Sequence, residues 1–176
     1  ANHIPLLLSA TPLPYGTLRG HVAVGNPIVG DLAQSNESLV IFHGPNAYIT
    51  PSWYATKQTS GKVVPTWNYA VVHAYGVIRL VDDRDWLKRQ IVELTDANEA
   101  GFDQPWSVSD APNDYLEKMI GGIVGVEMTI SKLIGKWKVS QNQPAENQTS
   151  VVDGLKAQAC PGSQTMAALV ENARNQ

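Results

Sequence analysis

Apolar and polar positions alternate and break along the first half of this chain in a way that predicts mainly strands. His3 to Ser9 is mostly apolar, and the Thr11-Pro12-Leu13-Pro14 punctuation closes that run as a strand. Gly16 to Val22 predicts a second strand, near enough to form a hairpin with the first. Asn26-Pro27 marks a helix start, because Asn is a favoured N-cap and Pro is tolerated at the first helical position. This helix is expected to run to Gln34, with a turn at Ser35-Asn36. Ser38 to His43 reads as a continuous apolar strand, Gly44-Pro45-Asn46 has turn chemistry, and Ala47 to Thr50 predicts a short strand. The polar stretch 56–62 predicts a loop.

Pro65 to Val81 is the longest strand-like run, and its alternation carries information. One face presents Trp67, Tyr69, Val71, His73, Tyr75 and Val77; the other presents Ala70, Val72, Ala74, Gly76, Ile78 and Leu80. Small and aliphatic residues suit the tight interior of a small barrel. Bulky aromatics with polar tips suit an apolar surface that also needs hydrogen bonds.

Asp82 and Asp83 introduce an amphipathic helix with Trp86, Leu87, Gln90, Ile91 and Leu94 near one stripe. A further helix is expected over Pro112 to Ile120. Strands follow at Ile123 to Ile130 and Lys136 to Gln141, with Gly135 in the connecting turn. From Gln143 onward the apolar spacing at Val151, Val152 and Leu155, then at Met166, Leu169 and Val170, predicts two short helices in a peripheral tail. The expected organisation is a barrel domain over residues 1–142 and a helical tail over 143–176. Strands first, with helices inserted between them, point to a β-barrel decorated with helices rather than a βαβ parallel sheet.

Composition narrows the function. Charged residues are only 16% of the 176 and hydrophobic ones 43%, which suggests that a partner covers part of the surface. A net charge of −3 does not recommend nucleic acid, whose binding rests on clustered Lys and Arg. A single cysteine, Cys160, excludes an internal disulfide and a cysteine-based metal cage, and fits a reducing cytoplasm. No apolar run is long enough to span a bilayer, and the N-terminus lacks the basic region of a signal peptide.

Candidate chemistry is sparse. His3, His21, His43 and His73 fall in different predicted strands and lack the close spacing of compact metal sites. They read as interface or core histidines, or as the lining of an anionic pocket. Within HVAVGNP, Gly25 permits close backbone approach and the Asn26-Pro27 helix start offers unpaired N–H groups. Arg19 projects from the same strand face as His21, so these groups together could hold a phosphate monoester, or could be a capped helix beside a surface arginine. No dinucleotide-binding or P-loop glycine motif is present, and no nucleophile elbow. Cys160 reads as incidental, and the Asp82–Asp85 and Asp110–Asp114 acids as helix caps. Tyr48, Trp53, Tyr54, Trp67, Tyr69 and Tyr75, interleaved with Asn46, Lys62, Asn68 and His73, are harder to assign to a core. They suit an aromatic ligand or a subunit interface.

IFHGPNAYITPSWY (41–54), GKVVPTWNYAVVHAYG (61–76), VSDAP (108–112) and GKWKVSQNQP (135–144) resemble the PaiB family. Its members are named as negative transcriptional regulators and are similar in fold to flavin-binding split barrels of the pyridoxamine-phosphate-oxidase type. The resemblance covers nearly the whole chain, with a looser tail, and its four motifs stand in the family's order. It implies a mainly β, α+β split barrel with added helices, a homodimer, and an FMN site built from both subunits. By position, the phosphate side would be Asn2, His3, Arg19, His21 and the turn at Gly25-Asn26. The motif carrying Lys62 and the strand PTWNY would place Trp67, Asn68 and Tyr69 beside the flavin. The late strand would bring Lys136, Trp137 and Gln141 from the neighbouring subunit. Family members have an N-terminal helix and a first strand ahead of the segment that opens this chain, so the chain is expected to be incomplete at its start.

Three functions follow from these readings. One is a flavin-binding regulator or sensor. Another is an FMN-dependent oxidoreductase, a flavin reductase or oxidase using NAD(P)H or a small-molecule substrate, with the flavin performing the redox step. Direct DNA binding, suggested by the family name, is the third. It is not supported by charge or motif, because Arg84, Lys88 and Arg89 share their helix with Asp85 and Glu93.

Overall fold

The computed structural model describes residues 1–34 and 37–174. The turn expected at Ser35-Asn36 lies outside the described residues. The chain forms two compact units, Ala1–Val40 with Ala74–Leu133, and Ile41–His73 with Ile134–Gln176. The mixed α+β class is as expected, with antiparallel pairing wherever register is defined.

In the first unit, β1 (Leu7–Ser9), β2 (Thr17–Ala23), β5 (Ile78–Val81) and β6 (Ile123–Thr129) form a sheet of order β1-β2-β6-β5. The predicted hairpin is present, with Leu7 opposite Arg19, but its first strand begins at Leu7 rather than His3. Leu18, Ala74, Met128 and Ile130 pack in one cluster, and Val22, Leu32, Val124 and Val126 in another. Three helices belong to this unit: α1 (Ile28–Leu32), α3 (Arg84–Glu99) and α4 (Asn113–Ile120). Asp83 caps α3 by accepting from the Trp86 N–H at 2.8 Å, and the stripe buries Leu87 and Gln90. The helix expected to reach Gln34 ends at Leu32.

Helices α3 and α4 are tied by charge. Arg84 and Lys88 both bridge Glu117, the latter at 2.6 Å. Hydrogen bonds from Lys88 and Arg84 hold the Glu117 carboxyl below the usual carboxylate range. A group whose folded value is depressed adds stability above its unfolded value and loses it as pH falls through the folded one. The tie is therefore expected at neutral pH and lost on acidification. Melting temperatures followed from about pH 7 to about pH 3 should show a shallower acid limb for Glu117→Gln than for wild type.

The second unit holds most of a sheet of order β3-β4-β7, from β3 (Ser38–Ile49), β4 (Thr66–Gly76) and β7 (Lys132–Lys138). Helices α2 (Lys57–Ser60), α5 (Ala145–Lys156) and α6 (Pro161–Arg174) complete it. Its core gathers Ala47 and Ile49 with Tyr54, Val139, Val151, Val152, Leu155, Met166, Ala167 and Val170. Burial of Tyr54 pushes its phenol up from the ordinary value.

Four expectations are corrected here. Gly44-Pro45-Asn46 is not a turn, because β3 runs through it. β3 is an edge strand, the position in a sheet where proline is tolerated. Inward positions are even at Ser38 and Val40 and odd at Pro45, Ala47 and Ile49, so one residue slips out of alternation, as at a β-bulge. The long predicted strand is broken at Val77 into β4 and β5, which join different sheets. Gly76 permits that corner, since a Cβ there would lie 2.3 Å from the Thr129 carbonyl oxygen. Gly135 lies inside β7, and the connection from β6 is instead Ile130-Ser131, pinned by the Ser131 N–H to the Tyr75 carbonyl at 2.9 Å. The loop expected at 56–62 contains the single turn α2, stopped by Gly61 at φ 62°. Among the described residues, no helix is long and apolar enough to cross a membrane.

Candidate functional site

The residues singled out by sequence divide between the two units. Asn2, His3, Arg19, His21, Gly25 and Asn26 lie in the first. Lys62, Trp67, Asn68, Tyr69, Lys136, Trp137 and Gln141 lie in the second.

In the first unit, the period of β2 places Arg19 and His21 on one face. Arg19 stands opposite Glu127 of β6, and Glu127 stands opposite Arg79 of β5. Helix α3 supplies partners to this face. Gln90, fully buried, presents its Oε1 to His21 Nδ1 at 2.7 Å. One turn further, Glu93 meets the Arg19 guanidinium at 2.6 Å. Arg79 donates from Nε to Glu127 at 2.7 Å. Two arginines and two glutamates therefore balance, and an incoming anion must displace a carboxylate to gain Arg19. Two donors are left over: Arg19 Nε and Gln90 Nε2 are buried without a hydrogen-bond partner among the described residues. A buried donor without an acceptor costs about 1–3 kcal/mol, so this corner favours any ligand oxygen that can reach it.

The helix start contributes less than its sequence suggests. Helix α1 is only five residues long, and Asn26 Oδ1 already accepts from the Ile28 N–H at 3.0 Å. Asn26 also donates to Asn2 Oδ1 at 3.2 Å, so those two predicted residues do meet. Gly25 lies in open space and His3 is exposed.

In the second unit, the alternation of β4 separates the predicted flavin residues. Trp67 and Tyr69 project from one face, while Asn68 projects from the other and is buried. Asn68 donates from Nδ2 to Ser140 Oγ at 2.9 Å, and its Oδ1 is a buried acceptor without a partner among the described residues. Ser140 holds φ at 61°, a strained value for a residue with a side chain. Trp67, 55% exposed, meets Tyr48 edge to face at 5.9 Å.

On β7, Lys136 and Trp137 are exposed, and the Trp137 ring lies back over Gly135, where a Cβ would come within 2.2 Å of it. Gln141 is engaged locally, accepting from the Val139 N–H at 2.7 Å and donating to the Trp137 carbonyl at 2.6 Å. It fixes the end of β7. Lys62 is exposed just beyond α2. A concavity of about 340 Å³ opens on β3 and β4, lined by His43, Gly44, Asn46, Tyr69, Ala70, Val71 and His73.

Gln90, Glu93, Glu127 and Ser140 were not anticipated. One signal existed, since Gln90 is the only polar member of the apolar stripe Trp86, Leu87, Gln90, Ile91 and Leu94.

Residues 1–132 match the family model described as "Putative FMN-binding domain". The chain is 38% identical over 187 residues to an uncharacterized protein of Emericella nidulans, covering 89% of this chain and 74% of that one. It is 31% identical over 172 residues to the "Protease synthase and sporulation protein PAI 2" of Bacillus subtilis, covering 98% of this chain and 80% of that one. Among solved structures it is similar to a conserved hypothetical protein of Mycobacterium tuberculosis, at 13% identity and a TM-score of 0.47. That match covers 70% of this chain and spans 61% of the other. On the family model and the Bacillus relative, the chain belongs to the PaiB family of FMN-binding proteins, and FMN is its cofactor.

Proposed function

We propose that this protein is a homodimeric flavin-binding regulator or sensor of the PaiB type, built on a split barrel, with FMN held where two copies meet. The observation that supports this reading best is the surface of the second unit. Ile41, Phe42, Tyr48, Trp67, Ile134 and Trp137 are all exposed on the three strands of one sheet, and two of those strands are edges. Apolar surface of this kind, together with open strand edges, calls for cover, and a symmetric second copy supplies it with the same patch.

The chain's own groups fit FMN. The unpaired Arg19 Nε and Gln90 Nε2 donors suit phosphate oxygens, and a charge-assisted contact to phosphate outweighs the half-exposed pair with Glu93 that it replaces. Flavin, when bound, supplies a ring that takes up electrons. The protein's residues bind and orient it.

A sensor is favoured over an oxidoreductase because the ionisable side chains around Arg19 are matched in ion pairs and His21 Nδ1 is committed to Gln90. Arg84 and Lys88 of α3 are engaged with Glu117, which supports regulation through the flavin and the dimer over α3 reading DNA.

Purified protein should show flavin absorption and sediment as a dimer at micromolar concentration. Ile134→Glu, on an exposed position, should leave the fold intact and shift the protein to monomer by at least about a hundred-fold in the dimer constant, since an unpaired charge buried at an interface costs several kcal/mol. Colourless, monomeric protein would refute the proposal. NAD(P)H oxidation well above that of free flavin would move it to an oxidoreductase.

A further inference from the structure

We propose that His43 and His73 form a two-imidazole chelate for a divalent transition cation on the outer face of the β3–β4 pair. The inference stands apart from the FMN reading, since it uses neither the flavin nor its phosphate.

Two contacts place the strands against each other. Gly44 of β3 lies beside the buried Ala70 of β4, where a Cβ on the glycine would sit 3.2 Å from the Ala70 Cβ. Further along, the Tyr48 and Trp67 rings meet at 5.9 Å. The two strands are neighbours in one sheet, and rising numbers on β3 against falling numbers on β4 make them antiparallel. The step from Gly44 to Tyr48 is one residue longer than the step from Trp67 to Ala70, which puts the β3 bulge after Gly44. Before the bulge, His43 falls beside Val71 and Ile41 beside His73. Gly44 and Ala70 point inward, so alternation turns His43 and His73 outward. The two histidines are then diagonal neighbours on one face, about 7 Å apart, and they line the same concavity of about 340 Å³.

Diagonal strand positions let two rings converge on one point, each reaching a metal through a ring nitrogen at about 2.0–2.1 Å. The donor set chooses the ion. Imidazole suits Zn²⁺, Cu²⁺ and Ni²⁺, whereas Mg²⁺ and Ca²⁺ want oxygen ligands, carboxylates above all, and no carboxylate lines this concavity. His43 is exposed and His73 only partly buried, so a cation reaches both from solvent. Among the described residues no group of three or more His, Cys, Asp or Glu could hold a metal, so the chain supplies two ligands and water the others. A site of that kind exchanges its metal, unlike a structural centre closed by a full set of protein ligands. Spacing in the sequence hid the pair, because the histidines lie on separate strands and only the sheet brings them together.

The test uses the full chain without an affinity tag, cleared of metal with a chelator and desalted. Calorimetric titration with Ni²⁺ or Zn²⁺ should show one cation per chain, while Mg²⁺ and Ca²⁺ give no heat of binding. His43→Ala and His73→Gln should each weaken Ni²⁺ by at least about ten-fold, the scale on which even the outer partners of a metal site matter. Circular dichroism and melting confirm that both variants fold. His3→Ala, at an exposed histidine of the first unit, should bind as the wild type does. Ni²⁺ should raise the melting temperature of the wild type and leave those of the two chelate variants unmoved, because a ligand of the folded state stabilises it by mass action. Wild-type Ni²⁺ affinity in either folded single variant would overturn the chelate and reduce the binding to lone surface imidazoles. No uptake of Ni²⁺ or Zn²⁺ by the wild type would overturn it outright, with the FMN reading untouched.

Discussion

Arg19→Ala is expected to weaken FMN binding by about ten- to one-hundred-fold, the range for one lost charge-assisted hydrogen bond, while riboflavin binding stays unchanged. The guanidinium is held on β2 opposite Glu127 and capped by Glu93 from α3 at 2.6 Å. Glu93 is nearly half exposed, and pairs of that kind are worth only about 0.2–1 kcal/mol. On the proposed reading, a phosphate dianion arriving at Arg19 would also find Arg19 Nε and Gln90 Nε2, which have no partner among the described residues. On that reading Glu93 would be an internal competitor. Glu93→Gln should tighten FMN by up to about five-fold, by removing the competing charge, again with no effect on riboflavin. Equal losses for both ligands in Arg19→Ala would indicate damage to the sheet rather than to a phosphate contact. No change for either would place the phosphate elsewhere.

Much of the fold was legible because two strong periods run through the sequence. The burial of Asn68, Ala70, Ala74 and Gly76 against the outward Trp67 and Tyr69 follows from the two-residue repeat of a strand. The α3 stripe and its Asp83 cap follow from the repeat of a helix. What local sequence misjudged were residues whose meaning depends on their neighbours in space. Gly44-Pro45-Asn46 has every attribute of a turn, yet a sheet edge tolerates proline and the strand continues. Gly135 reads as punctuation, but its missing side chain is the space that the Trp137 ring occupies two residues along the strand.

The candidate site was legible in its residue types and less so in its geometry. Arg19 and His21 share a strand face as their spacing requires. Their partners are far along the chain, and only Gln90, a polar residue in an apolar stripe, gave notice of itself. Trp67, Asn68 and Tyr69 formed one motif, but side chains alternate along a strand, and Asn68 turns inward to Ser140. Lys136, Trp137 and Gln141 likewise divide, since Gln141 spends both ends of its amide on the backbone of its own strand end.

Leu155→Ala should destabilise the protein by about 3 kcal/mol, within the range of roughly 2–5 for a buried leucine whose surroundings relax only partly. Leu155 is fully buried, in one cluster with Ile49 of β3, Val151 and Val152 of α5, and Met166 and Val170 of α6. Strand and helices meet through these side chains, so the void cannot close without shifting an element. The neighbouring residue provides a contrast of mechanism. Gly154→Ala gains about 1 kcal/mol of helix propensity, but its new Cβ would lie 2.4 Å from the Trp53 ring. Overpacking of that kind costs about 1–3 kcal/mol, so the net effect should be a smaller loss than that of Leu155→Ala. Urea denaturation of the two variants measures both terms. A Gly154→Ala protein more stable than wild type would show that Trp53 moves aside freely. A Leu155→Ala loss below about 1 kcal/mol, the level of a well-tolerated core change, would mean that the β3–α5–α6 core repacks around the gap, and that α5 and α6 are held less tightly than their burial indicates.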